Sequence, residues 1–183
     1  MSRIPTIDPS TATGEPKELL EAVQSKLGMA PNIRRIMANA PAALKAYLGF
    51  GEALSGGRFD AKSREAIALA VAGANSCEYC ASAHAAVSRS LQVDEPEIAE
   101  RLRGRSSDAK LDAALVFARQ IVDKGGFVSD EDLATVRAAG HDDEAIVEIV
   151  ANAAGNIFTN YFNHVAQTEI DFPKVALETS HAA

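Results

Sequence analysis

Apolar residues recur at three- and four-residue spacing through nearly the whole chain, and no segment keeps the two-residue alternation of a strand. The spacing predicts helices over 16–28, 31–39, 41–55, 61–75, 78–91, 94–103, 107–124, 129–139 and 142–168. Their ends carry the usual punctuation. Pro16 and Gly28 bracket the first, Pro41 and Gly56-Gly57 the third, and Gly104, Gly125-Gly126 and Gly140 separate the later ones. Ser129 ahead of Asp130, Glu131 and Asp132 reads as an N-cap with an acidic first turn. The expectation is an all-α chain forming one domain over 1–183. Its core would span about 40–170, with an N-terminal helical extension at 16–39 and a loose polar tail at 174–183.

A weak internal repeat runs through this pattern. Glu65-Ala66-Ile67 has a counterpart in Glu144-Ala145-Ile146, 79 residues on. At that offset Cys77 faces Asn156, Cys80 faces Thr159 and His84 faces Asn163. Residues 41–57 resemble 112–126 at an offset of about 70. A duplicated helical unit explains both, with an extra helix at 129–139 in the second copy and the thiols in the first alone. Chance likeness between alanine-rich helices is the competing explanation.

Composition narrows the function. A chain of 183 residues can bury a full core. Its net charge of −7 argues against an electrostatic grip on nucleic acid or on an anionic membrane. The basic group Arg101, Arg103 and Arg105 reads as a solvated helix end. No apolar stretch approaches the ~18 residues of a membrane span. The opening MSRIPTIDPS lacks the apolar segment of a secretory leader, so the cytoplasm is the expected compartment and a permanent disulfide is not expected there. Abundant alanine and the absence of tryptophan favour helices packed closely through small side chains.

The chemistry concentrates between Glu65 and His84. The only two cysteines stand as Cys77-Glu78-Tyr79-Cys80, and His84 follows four residues later, one turn along the same helix face. A free thiol ionises near ~8.5, so a working thiolate needs help. Cys77 at a helix start gains from the helix dipole, and His84 is placed to take the proton of Cys80 directly or through a water. Two alternatives stay open on the residues alone. The cysteines could simply pack, or they could join His84 in a zinc site that needs about four ligands, the fourth coming from His141, His164, a carboxylate or another chain. Spacing leaves Glu65 undecided. It lies ~15–18 Å from the turn near residue 76 while His84 lies ~10–12 Å down the returning helix, a mismatch of several Å in a plain antiparallel pair.

The order Glu65, Cys77-x-x-Cys80, His84 is similar to that of the AhpD-like alkylhydroperoxidases within the carboxymuconolactone decarboxylase family. The segment from Asn160 through His164 to Asp171-Phe172-Pro173 resembles the end of that group's peroxidase-related branch. The resemblance covers about 40–170 and implies an all-helical AhpD-like fold with an internal two-fold, assembled as a dimer, trimer or hexamer. It implies that Cys80 is the peroxidatic cysteine, Cys77 the resolving one, His84 the base and Glu65 its polarising carboxylate. It also implies a hydroperoxide substrate and an external dithiol reductant, a lipoylated or thioredoxin-like protein, with no bound cofactor or metal. The chain departs from the pattern at Tyr79, where well-studied members carry a second histidine; a phenol is a poor base near neutral pH.

Competing functions are the family's decarboxylase and lactone-processing chemistry, which needs no dithiol, a non-catalytic redox sensor, and a general disulfide reductase. Among the remaining residues, His164 beside Tyr161 and Phe162 reads as packing or pocket wall. His141 next to Asp142 reads as solvated, and His181 as part of the tail. Phe117, Phe127 and Phe158 read as core or interface.

Overall fold

The computed structural model describes residues 2–177, and among them the chain forms helices joined by short turns. The helices are α1 (Gly14–Leu27), α2 (Asn32–Met37), α3 (Pro41–Ser55), α4 (Ala61–Ala74), α5 (Glu78–Ser90), α6 (Glu95–Leu102), α7 (Ala109–Asp123), α8 (Asp130–Ala138) and α9 (Asp143–Ala166). Local chemistry sets their starts. Asp60, Asp94, Asp108 and Asp142 each accept a backbone N–H three residues on. Ser129 and Asp132 form a reciprocal capping box. Much of the chain's acidity is therefore spent at positive helix ends.

Helix α4 is the centre. Its residues from Ala66 to Ala72 are all buried, and it packs against α5, α6, α7 and α9. Small side chains make this possible. At Gly73 a Cβ atom would lie 1.9 Å from the carbonyl oxygen of Leu102, so the end of α6 rests directly on the α4 backbone. One core lies on the α7, α8 and α9 side and includes Ile67, Leu115, Phe117 and Ile149. A second core gathers Leu20, Ile33, Met37 and Leu44 from the first three helices around Cys77, Tyr79 and Cys80. The N-terminal helices are thus the cover of the thiol pair, more than an extension.

The two units differ along their length. Glu65 is the fifth residue of α4 and Glu144 the second of α9, and α4 stops at Ala74 while α9 continues unbroken for 24 residues. The break belongs to the unit that carries the thiols.

Several sequence expectations are corrected. Residues 174–177 are docked, not loose: the Val175 N–H donates to Ser82 Oγ at 3.1 Å, and Val175 and Leu177 pack against apolar clusters. Apolar side chains hold this part of the tail down. The rest of it, with His181, lies outside the described residues. His141 is buried, not solvated, because Nε2 bonds the Lys110 carbonyl at 2.8 Å and the ring stands 6.0 Å from Phe59. Arg101 is buried rather than solvated, its guanidinium bonded to Glu97 at 3.2 Å; Arg103 and Arg105 pair at the surface with Glu100 and Asp112. Phe117 is core, whereas Phe158 is half-exposed and Phe127 is 90 % exposed.

Candidate active site

The site is built on the reversal between α4 and α5. Asn75 caps α4, and Ser76 takes a left-handed conformation at φ 52°. The Cys77 N–H then reaches back to the Ala72 carbonyl at 2.9 Å. This tight return makes Cys77 the N-cap of α5, its sulfur accepting the Cys80 N–H at 3.5 Å. Cys80 falls in the first turn, where the partial positive charge of the helix end favours an anion. The turn is tied to α9 by Asn75 Nδ2 donating to Asn160 Oδ1 at 3.0 Å.

Both cysteines are free and buried, yet their environments differ. The Cys77 thiol donates towards Cys80, and this stabilises the Cys80 thiolate against the penalty of burial. The positive charge of His84 and the amides of Asn163 and Asn160 add to it, and the Cys80 thiol is pulled down to about 6. The Asn163 Nδ2 donor stands 3.1 Å from the Cys80 sulfur. Cys77 moves the other way, because it keeps the shared proton and is itself buried beside an anion. The pair is a thiolate with a thiol alongside.

His84 and Glu65 meet at 2.8 Å, Nδ1 to Oε2, with 22 % and 21 % of their side chains exposed. The mismatch expected from helix spacing is closed by the packing of α5 along α4. Burial disfavours the imidazolium, but the charge and hydrogen bond of Glu65 outweigh it, and His84 ionises above its ordinary value. The four residues suggested by the motif are therefore grouped, and Glu65 joins by geometry.

Tyr79 serves the fold. Its hydroxyl donates to Asp171 Oδ1 at 2.8 Å and accepts the Ile33 N–H at 3.2 Å, while Asp171 Oδ2 accepts the Asn32 N–H at 2.8 Å. Burial, and the nearby Asp171 carboxylate, push the phenol well above its usual range. It ties α2 and the 170s segment over the dithiol and has no free hydroxyl for proton delivery. His164 is exposed, stacked on Tyr161 at 6.5 Å, and lines a cavity with Cys77.

Sequence reasoning passed over three participants. Asn160 and Asn163 belong to the series Asn152, Asn156, Asn160, Asn163, which runs down one face of an otherwise apolar helix. That spacing was a usable signal for a buried polar stripe. Arg34 left no such signal. Its guanidinium lies 4.0 Å over the Tyr47 ring, with Nε and Nη1 buried and without a hydrogen-bond partner. Its charge opposes the ionisation of His84, weakly beside the effect of Glu65. Among the described residues, no three His, Cys, Asp or Glu side chains are grouped as a metal site requires, and no helix is long and apolar enough to cross a membrane.

Residues 41–124 match the model of the carboxymuconolactone decarboxylase family. No protein of curated function matches in sequence. Among solved structures, a peroxidase-related protein from Ralstonia eutropha JMP134, described as an alkylhydroperoxidase AhpD core, superposes with a TM-score of 0.83. It is 24% identical, and the match covers 93% of this chain and 92% of that one. A peroxidase-related protein from Silicibacter sp. TM1040 gives a TM-score of 0.79 at 26% identity, covering 95% of this chain and 91% of its own. The debrominase Bmp8, solved with 2,3,4-tribromopyrrole, is 20% identical with a TM-score of 0.79, covering 93% and 92%. The thiol-bearing stretch is thus similar to the carboxymuconolactone decarboxylase family, and the fold over nearly the whole chain is that of the AhpD core.

Proposed function

We propose that the protein is a thiol-dependent hydroperoxide reductase. The observation that carries this reading is the asymmetry of the dithiol, an acidic Cys80 stabilised by the thiol of Cys77 and by Asn163, beside a His84 bonded to Glu65 at 2.8 Å. The Cys80 thiolate attacks the terminal oxygen of a hydroperoxide and the O–O bond breaks. The departing alkoxide takes a proton from the His84 imidazolium, which Glu65 sustains, leaving an alcohol and a Cys80 sulfenic acid. His84, now neutral, accepts the proton of Cys77. The Cys77 sulfur then displaces the sulfenic oxygen, which takes that proton back from His84 and leaves as water, forming a disulfide before over-oxidation. An external dithiol, lipoylated or thioredoxin-like, returns the pair to its reduced state. The need for that re-reduction is the ground for assigning the protein to the cytoplasm. Exposed apolar residues along α9 (Val147, Val150, Phe158, Tyr161 and Val165) support a homo-oligomer.

The test is hydroperoxide consumption under excess dithiol, run beside Cys80→Ser. Turnover in the parent protein that disappears in the variant is the expected outcome. Oxidation once per chain without turnover would favour a redox sensor. A second reading follows from the structural likeness to a debrominase, since a thiolate flanked by a thiol also has the equipment to remove a halogen from an electron-rich ring. Bromide release from a bromopyrrole without peroxide consumption would establish that reading instead. Decarboxylation of a lactone acid that survives Cys80→Ser would move the protein to the branch of the family that needs no dithiol.

A further inference from the structure

The oxidation chemistry above uses the side of the dithiol that faces His84 and Glu65. A cavity of about 400 Å³ lies on another side, where the start of α5 meets the end of α9 and the segment beyond it. Its wall includes Cys77, Asn163, His164, Gln167, Thr168 and Ile170, and includes none of Cys80, His84 and Glu65. We propose that this cavity receives the reducing dithiol, which attacks the oxidised pair at the Cys77 sulfur, so that peroxide and reductant reach the two sulfurs from different sides. The inference rests on the redox reading of Cys77 and Cys80.

Three observations lead to this assignment. The first is access. Thiol–disulfide exchange needs the attacking sulfur in line with the bond that breaks, and the cavity touches Cys77 alone. The second is the leaving group. Attack at Cys77 expels Cys80, whose thiolate is held by Asn163 and by the charge of His84, and an acidic thiol leaves faster. Attack at Cys80 would expel Cys77, whose ionisation burial opposes. The third is the wall itself. Ile170 and Leu177 offer an apolar surface to an alkyl chain, and the His164 imidazole is available to take the proton of the incoming thiol. A slender aliphatic dithiol on a flexible arm fits such a cavity, whereas a folded carrier would have to present its thiols on a protruding loop.

The electrons balance simply. One thiol of the reductant loses its proton, and its sulfur bonds to Cys77 while the S–S pair of electrons passes to Cys80. The second thiol then attacks the first sulfur of the reductant and releases Cys77. Cys77 regains a proton, and the reductant departs as a cyclic disulfide, two electrons and two protons poorer.

The experiment forms the disulfide with diamide, so that it does not depend on peroxide, and follows its reduction by dihydrolipoamide. The oxidised protein is also treated with 2-mercaptoethanol, quenched in acid and alkylated, and the adduct is located by fragment-ion mass spectrometry. The expected adduct is on Cys77; an adduct on Cys80 overturns the proposal. His164→Trp, which narrows the cavity, is expected to slow reduction by roughly fivefold or more relative to peroxide-driven thiol loss, as hindered access to the attacked sulfur requires. Equal slowing of both halves, or of neither, also overturns it. Reduction that behaves as expected in a protein that peroxide does not oxidise would refute the hydroperoxide reading and leave the cavity's role standing.

Discussion

Replacing Cys77 by alanine tests the central electrostatic claim, because it removes the largest support of the Cys80 thiolate and leaves a single cysteine to observe. A hydrogen bond to a charged group contributes about 1.5–3 kcal/mol, and about 1.4 kcal/mol corresponds to one pKa unit. Losing the Cys77 donor should therefore move the Cys80 midpoint from about 6 to about 7–8. The thiolate is the reactive form, so the rate rises with pH through the midpoint and the whole curve moves to higher pH in the variant. At pH ~6.5 the thiolate fraction falls from roughly three-quarters to between ~3% and ~25%, a loss of about 3–25-fold in rate, while above pH ~9 the two proteins converge. Pseudo-first-order alkylation by iodoacetamide, followed by mass spectrometry from pH 5 to 10, reads this directly. Cys77→Ser keeps a donor at the same place and should fall between the two. A Cys77→Ala midpoint that coincides with that of the parent would refute the argument. So would a plateau that drops without any movement of the midpoint.

Other perturbations test the remaining contacts. Glu65→Gln removes the charge that sustains the His84 imidazolium, so peroxide turnover should fall while alkylation of Cys80 at high pH survives. The pair's contribution to stability is fully present below the ordinary histidine value of 6.5 and is lost as pH rises through the raised folded value. The gap between parent and Glu65→Gln in urea unfolding should therefore shrink from pH 6 to pH 9, and a widening gap would count against the pairing. Asn163→Ala deletes the amide donor to the Cys80 sulfur, and should raise the alkylation midpoint by less than Cys77→Ala does. Gly73→Ala forces a methyl group into the Leu102 carbonyl, and should cost about 1–3 kcal/mol or more in equilibrium unfolding because backbone must move. If the exposed apolar face of α9 joins copies of the chain, Val165→Glu should lower the sedimentation mass without loss of helix content by circular dichroism.

Local chemistry made much of this protein legible in advance. Helix limits follow from three- and four-residue periodicity, aspartate and serine caps, and glycine and proline stops. These forces act within one turn, and the structure places the helix ends within a residue or two of where they point. The dithiol and its histidine were readable for the same reason, since they share one helix. Contacts that cross the chain were not. Glu65 and His84 meet through the packing of α5 on α4, and helix spacing alone leaves them several Å apart. Asn163 reaches Cys80 across 83 residues, and Tyr79 binds Asp171 across 92. His141 and Arg101 are charged or polar in sequence and buried in the fold, because each finds its partner on a neighbouring element. The motif names the thiols. Which of them is acidic, and which is reached by the cavity, depends on dipoles, amides and burial that only the packed helices bring together.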